Sequence, residues 1–314
     1  MKRRSKVLGL LILLFLLTSV LSLGIGPTRI SYEKVLQVRL PRVVLGIFAG
    51  SSLAIVGSAL QGILLNPLAD PYILGISSGA AFGASLSIVL GFATSIASPI
   101  LGFLGALISI LLVYQLARVE GRIPRDTLLL TGVLVGFFFS SLVTLTLVLR
   151  GEELRRITYL LMGNLGFVFI KRDLILFILF SGIVLFSSII IYAHSRELNL
   201  LTLGEEGAME LGVDAEVLKK NLFFLSSLSI GAVVAFCGAI GFVGLIVPHV
   251  SRILVGPDHR ILLPASFLLG SIFVLLADTL ARTASPMELP VGVVTSLFGV
   301  PFFFYLLRKK KHEA

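Results

Sequence analysis

The sequence has 314 residues, 56% of them hydrophobic and only 14% charged, with a mean hydropathy of +1.04. Soluble domains run at about 45–50% apolar and about 25% charged, so the chain reads as an all-α, polytopic transmembrane helical bundle. The formal net charge of +9 does not point to nucleic acid, because the basic residues stand in short clusters between apolar runs rather than along one face.

A membrane-crossing helix needs about 20 apolar residues. The first run, Val7 to Ile25 behind MKRRSK, is longer than the roughly 7–15 residues of a signal peptide's apolar region and has no A-x-A-like site after it, which predicts a retained first span. Further spans are expected at 43–65, 74–91, 97–117, 127–149, 174–194, 222–240, 241–255, 261–281 and 289–307, about ten in one transmembrane domain covering 1–314. The uncharged stretch 71–117 has to break, most simply at Gly91 to Pro99; 221–251 is expected to break at Gly238, Gly241, Gly244 and Pro248.

An even number of spans puts both ends on one side, and both ends are basic: Lys2, Arg3, Arg4 and Lys6, then Arg308, Lys309, Lys310 and Lys311. The positive-inside rule therefore places both in the cytoplasm, together with the loop holding Arg118, Arg122 and Arg125 and the loop 195–220. That topology leaves Arg29, Lys34, Arg39, Arg42, Arg150, Arg155, Arg156, Lys171, Arg172 and Arg282 outside. Positive charge there fits either a docking face for an acidic partner or snorkelling at helix ends.

Little in the chain points to covalent chemistry. It has no Gly-Lys dipeptide and so no P-loop. Gly75-Ile-Ser-Ser-Gly79 matches G-x-S-x-G but opens an apolar helix instead of following a strand, which suits close helix packing better than a nucleophile. H-E-x-x-H is absent, the four histidines are dispersed, and the single cysteine, Cys237, lies among apolar neighbours, so no catalytic residue, cofactor or metal site is expected. Asp278 ends an apolar run, and Arg282 one turn later offers an i,i+4 ion pair.

Two features remain. The segments 57–80 and 238–252 each interrupt a helix with polar, glycine and proline residues, at Asn66-Pro67 and Pro248-His249, as in an internal duplication of the transporter kind. Residues 201–221, LTLGEEGAMELGVDAEVLKKN, gather Glu205, Glu206, Glu210, Asp214 and Glu216 around an apolar strip of Leu203, Ala208, Leu211 and Val217; Gly204, Gly207 and Gly212 allow tight turns. Such a pair of short helices is either a solvated loop or a knob for another cytoplasmic protein.

The stretches 39–80, 203–213, 241–264 and 277–303 resemble the permease subunits of ABC importers for iron-siderophore complexes, haem and vitamin B12. The resemblance implies a second copy of the permease, two cytoplasmic ATPase subunits that use ATP and Mg, an extracytoplasmic binding protein, an inner-membrane location, and no enzyme activity or bound cofactor in this chain. It implies that Leu203, Gly204, Glu205, Glu206, Ala208, Leu211 and Gly212 belong to coupling helices facing the ATPase. It makes Arg39, Arg42 and Arg282 the outer arginines that pair with acidic residues of the binding protein. Gln61, Asn66, Pro67, Gly75, Gly79, Pro248, Gly292 and Pro301 match motif positions and are expected to break helices and shape the pathway. The implied cargo is a ferric siderophore first, then cobalamin, haem or molybdate. The rival readings are an ion-driven carrier, for which Asp278 is the sole deep ionisable group in sight, and a membrane enzyme.

Overall fold

The structure is a computed structural model, and it describes residues 2–26, 31, 35–92, 96–119, 123–149, 158–159, 161–166, 173–285 and 288–313. Arg29, Lys34, Arg122, Arg150, Arg155, Arg156, Lys171 and Arg172 lie outside the described residues. In chain order the helices are α1 (Lys2–Gly24), a π turn (Val35–Arg39), α2 (Leu40–Ile63), a 3-10 turn (Pro71–Leu74), α3 (Ile76–Val89), α4 (Ala97–Ala117) and α5 (Arg125–Leu149). They continue with α6 (Leu174–Ala193), α7 (Ser195–Leu201), α8 (Glu205–Glu210), α9 (Ala215–Cys237), α10 (Val243–Val255), α11 (His259–Thr283) and α12 (Val291–Glu313).

Among the described residues seven helical stretches are long and apolar enough to cross a membrane, and three shorter apolar helices accompany them: α3, α10 and the Val291–Phe304 part of α12. Each expected apolar window overlaps one of these. α9 starts at Ala215, well before the expected 222, because Asp214 caps it by accepting the Val217 N–H at 3.0 Å and because Leu218 and Leu222 bury early in the helix.

In lipid, apolar burial alone does not pull helices together, so small residues and buried hydroxyls decide the packing. α2 is the central helix, buried along most of its length between α11, α10, α9 and α6. At its crossing with α11, a side chain on Gly50 would strike the Gly270 carbonyl, and one on Gly270 the Gly50 carbonyl. α3 meets α4 through Gly79, Gly83 and Gly105 in the same way. Buried serines add polar joints: Ser52 with Ser229 at 2.7 Å between α2 and α9, and Ser58 with Ser266 at 3.0 Å between α2 and α11. The periphery is different: α1, α5 and α6 leave long rows of Leu, Ile and Phe exposed, as lipid or a partner helix requires.

Two expected breaks move. Pro248 lies inside α10 and Pro301 inside α12, so neither ends a helix. At Pro248 the helix loses the bond to the carbonyl four residues back, that of Gly244. α2 approaches that carbonyl closely because Gly57 has no side chain, and the helix runs on. The interruption falls at 238–242, at the expected Gly238 and Gly241, with Gly238 at φ 67° and Phe242 at φ 68°, while Gly244 and Pro248 continue inside α10.

Candidate functional site

Three groups of polar residues lie along the bundle, and α11 connects the outer two. At its far end, a charged knot joins α1, the π turn, α2 and α11. Arg42 Nε donates to Asp278 Oδ1 at 2.9 Å, its Nη2 lies 2.9 Å from the same oxygen, and its Nη1 bonds Glu288 Oε2 at 2.9 Å. Arg282 reaches Ser22 through its carbonyl at 2.5 Å and its hydroxyl at 2.7 Å, with Nε 3.5 Å from Asp278 Oδ2. Arg39 Nη1 donates to the carbonyls of Leu23 and Gly24 at 3.0 and 2.8 Å, closing the end of α1 where backbone acceptors have no helical partner. Asp278 is 0% exposed, Arg282 2%, and Arg39 and Arg42 8% each.

In mid-bundle the two interrupted segments touch. Asn66 Oδ1 accepts from Leu68 N at 2.9 Å, forming the turn around Pro67, and Asp70 caps the 3-10 turn by accepting from Tyr72 N at 2.8 Å. The Tyr72 hydroxyl then accepts the Ile240 N–H at 2.9 Å, so the first break satisfies a backbone donor of the second. Gln61 joins them again: its Nε2 donates to the Leu245 carbonyl and its Oε1 accepts from Arg252 Nη2, both at 3.2 Å. Leu65 (φ 46°) and Phe242 (φ 68°) are the non-glycine residues in the left-handed region among those described, one at each break. Gly75, at φ 71°, turns the chain into α3. A cavity of about 660 Å³ opens beside the second break, lined by Met162, Ala239, Gly241, Gly292, Ser296 and Pro301 among others.

At the near end, α7, α8 and the start of α9 form the acidic segment. Leu198, Leu201 and Ala208 anchor it, each 0% exposed, while Leu203, Met209, Leu211 and Val217 stand 66%, 56%, 58% and 52% exposed. Four large apolar side chains together on a polar end of a bundle mark a contact surface. Gly204 (φ 99°) and Gly212 (φ 83°) make the turns on either side of α8. Glu205 Oε1 lies 2.7 Å from Arg125 Nη2 and its Oε2 2.7 Å from Lys219 Nζ. Burial alone would raise the Glu205 carboxyl; the hydrogen bond and charge of Lys219, with Arg125, hold it below its ordinary value. Glu206 and Glu210 are exposed. Asn199 of α7 secures the segment to α11: its Nδ2 donates to Asp258 Oδ1 at 2.7 Å and its Oδ1 accepts from His259 N at 2.8 Å.

The sequence pattern of the FecCD transport family matches residues 8–309. The chain belongs to the FecCD transport family. This FecCD chain is similar, at 46% identity over 278 residues (88% of this chain and 74% of the relative), to the cobalamin import system permease protein BtuC of Halobacterium salinarum. It is 38% identical over 328 residues (98% and 96%) to the hemin transport system permease protein HmuU of Yersinia pestis. A solved structure described as an inward-facing conformation of a metal-chelate type ABC transporter superposes with a TM-score of 0.88 at 37% identity, covering 98% of this chain and 99% of that one. As a FecCD member the protein is an all-helical, multi-pass permease of the ABC importer class.

The structure arranges the sequence-derived residues of this FecCD protein in ways their spacing did not announce. Arg39, Arg42 and Arg282 do come together, but turned inward. The expected Asp278–Arg282 pair forms at the longer distance, and Arg42, 236 positions away in the chain, is the nearer partner. Gln61, Asn66 and Gly75 converge at the breaks, with Pro67 in the turn between Leu64 and Asp70. Gly79 is a packing contact to Gly105 on α4, and Gly292 packs against the Met162 and Ala239 carbonyls. Of the expected apolar strip, Ala208 is buried; the next residue, Met209, joins the exposed patch instead. Glu288 and Lys219 were missed: Glu288 lies within the 277–303 stretch but has no role implied there, Lys219 lies beyond 203–213, and only three-dimensional proximity reveals their pairing.

Proposed function

We propose that this FecCD permease is the membrane-spanning subunit of an ATP-driven importer that carries a bulky metal chelate from an extracytoplasmic binding protein into the cytoplasm. Two copies enclose the pathway, and a cytoplasmic ATPase on each supplies the energy, using ATP and Mg. Both termini and the α7–α8 segment lie on the cytoplasmic side of the inner membrane, with the Arg42–Asp278 knot outside. The chain itself performs no covalent chemistry. An iron-siderophore complex is the first cargo; cobalamin is the second reading, favoured by the similarity to the Halobacterium cobalamin permease.

The observation that carries this proposal is the exposed patch of Leu203, Met209, Leu211 and Val217 beside Glu206, at the end of a bundle that has no phosphate-binding loop of its own. Apolar surface outside the lipid zone calls for a protein partner, and an ATPase is the partner such a permease lacks. At the other end the three arginines are held by internal acceptors. Docking of an acidic binding protein there therefore proceeds by exchange, with Glu288, whose side chain is 43% exposed, the carboxylate most readily replaced. The mostly apolar, small-residue lining of the 660 Å³ cavity suits passage, because tight binding would trap cargo.

Co-purification of the permease with its ATPase, and ATP hydrolysis in lipid with and without loaded binding protein, test this proposal. Wild type should bind the ATPase and show stimulated hydrolysis; Leu203→Glu combined with Glu206→Lys should lose both while the permease stays folded. An ATPase that binds the double variant as well as wild type would remove the patch from the coupling role.

A further inference from the structure

Four polar links close a ring at the acidic end. Arg125 Nη2 bonds Glu205 Oε1 at 2.7 Å, and Glu205 Oε2 bonds Lys219 Nζ at 2.7 Å. Lys219 Nζ bonds Glu216 Oε1 at 2.9 Å, and Glu216 Oε2 accepts the Ile123 N–H at 3.2 Å, two residues before Arg125. Glu205 of α8 gives one oxygen to α5 and one to α9, while Glu216 of α9 gives one to Lys219 on its own helix and one to the Ile123 N–H just before α5, so two acids and two bases join α8, α9 and the start of α5 in one neutral circuit. Lys219, at its centre, has a side chain only 7% exposed. Beneath the ring, Ile123 and Leu128 face Ile63, Leu64 and Phe223 across a void of about 10 Å³, room for about one water.

Away from this ring the helix meets the bundle along one side only. α5 packs on α3, α4 and the 3-10 turn and leaves Leu130, Leu134, Phe137 and Phe138 exposed at 61%, 59%, 69% and 57%. Where it crosses the 3-10 turn the backbones are in contact: a side chain on Gly132 would strike the Ile73 carbonyl, and one on Gly75 would meet Gly132 and Gly136. A displacement of α8 therefore has a continuous route: through the ring to the start of α5, along α5 to the first break, and through the Tyr72 hydroxyl to Ile240 at the second. Charge-assisted bonds suit such a joint, being directional and roughly twice as strong as neutral ones.

We infer that Arg125 and Lys219 are positioning residues that fasten the start of α5 to α8, so that motion received at the acidic segment moves α5 and, through it, the two breaks. The inference rests on the transport reading above, and its test is built to fail separately. The first arm uses the full-length permease alone in nanodiscs and follows amide hydrogen exchange. Arg125→Met and Glu205→Gln should each speed exchange at least tenfold in both 123–135 and 205–210, whereas Glu210→Gln, on the exposed side of α8, should speed neither. Acceleration confined to the substituted segment overturns the ring as a joint. The second arm uses the assembled permease–ATPase complex in lipid, with Phe137→Cys fluorescently labelled in a Cys237→Ala background and Mg-ATP as the trigger. Arg125→Met should cut the ATP-dependent signal at least tenfold with hydrolysis unchanged, and Arg125→Lys, which keeps the charge, should restore most of it. Loss of hydrolysis and signal together in Arg125→Met, or an undiminished signal, overturns the inference. A wild-type complex that does not hydrolyse ATP refutes the transport reading, while the exchange arm still decides the ring.

Discussion

Replacing Asp278 by asparagine should cost about 3–5 kcal/mol of folding stability, the usual result of removing one partner from a buried ionic group. Asp278 is 0% exposed and stands between two guanidinium groups, 2.9 Å from Arg42 and 3.5 Å from Arg282. With an amide there, Arg42 keeps Glu288, but Arg282, 2% exposed, is left with the neutral oxygens of Ser22 and Thr279. A bare buried cation is what sets the magnitude, and at about 1.4 kcal/mol per decade it amounts to roughly two to three and a half orders of magnitude in the folded-to-unfolded ratio. Titrating the purified protein with SDS in mixed micelles, with circular dichroism as the readout, measures it. Replacing the buried group outright, with Asp278→Leu, Arg42→Met and Arg282→Met together, should recover much of the loss, because apolar replacement of a whole buried ionic group is often neutral. A loss below about 1 kcal/mol would refute the reasoning, since surface ion pairs are worth that little.

Gly50→Leu should disrupt the α2–α11 crossing, where even one added carbon meets backbone on the facing helix; overpacking of this kind costs about 1–3 kcal/mol or more and is read in the same titration. Tyr72→Phe removes the acceptor of the Ile240 N–H and should cost about 1–3 kcal/mol, the penalty of an unpaired buried donor. Glu288→Gln should tighten docking of the acidic binding protein several-fold, measured by surface plasmon resonance on nanodiscs; weaker docking would show that Glu288 is part of the receptor face and not a competitor. The ring at Glu205 is sensitive to acid in one direction. Its carboxyl is held below the unfolded value of about 4.3, so the stabilisation it adds is full above that value and is lost as pH falls through the depressed one. Exchange protection of 205–210, corrected for intrinsic rates, should hold from pH 7 to about 5 and collapse only in stronger acid, whereas Glu205→Gln should lack that step.

The helices were legible because long charge-free runs in a chain of this hydropathy have no other stable form in lipid. Where they begin was less so: the start of α9 depends on Asp214 acting as a cap, which an apolar window cannot register. Pro248 misled for a related reason. A proline costs a helix one backbone bond and crowds the carbonyl four residues back, but packing can hold the helix through it: α10 continues past Pro248 with Gly244 pressed against Gly57 of α2. The two breaks were visible, but their junction through Tyr72 and Gln61 was not, since the partners are 168 and 184 residues apart. The charged residues hid most. Glu205 and Glu206 are neighbours of identical chemistry, yet one closes an internal ring and the other faces outward. Arg42 read as an exposed cation until Glu288, 246 residues on, supplied its second carboxylate.

Transport itself is the most direct test. The permease and its ATPase are reconstituted in liposomes with Mg-ATP on the ATPase side, and a loaded binding protein carrying labelled ferric siderophore or cyanocobalamin is added on the other. Accumulation should need ATP and the binding protein and be unaffected by ionophores that collapse ion gradients. Accumulation by the permease alone, driven by a proton or sodium gradient, would contradict it.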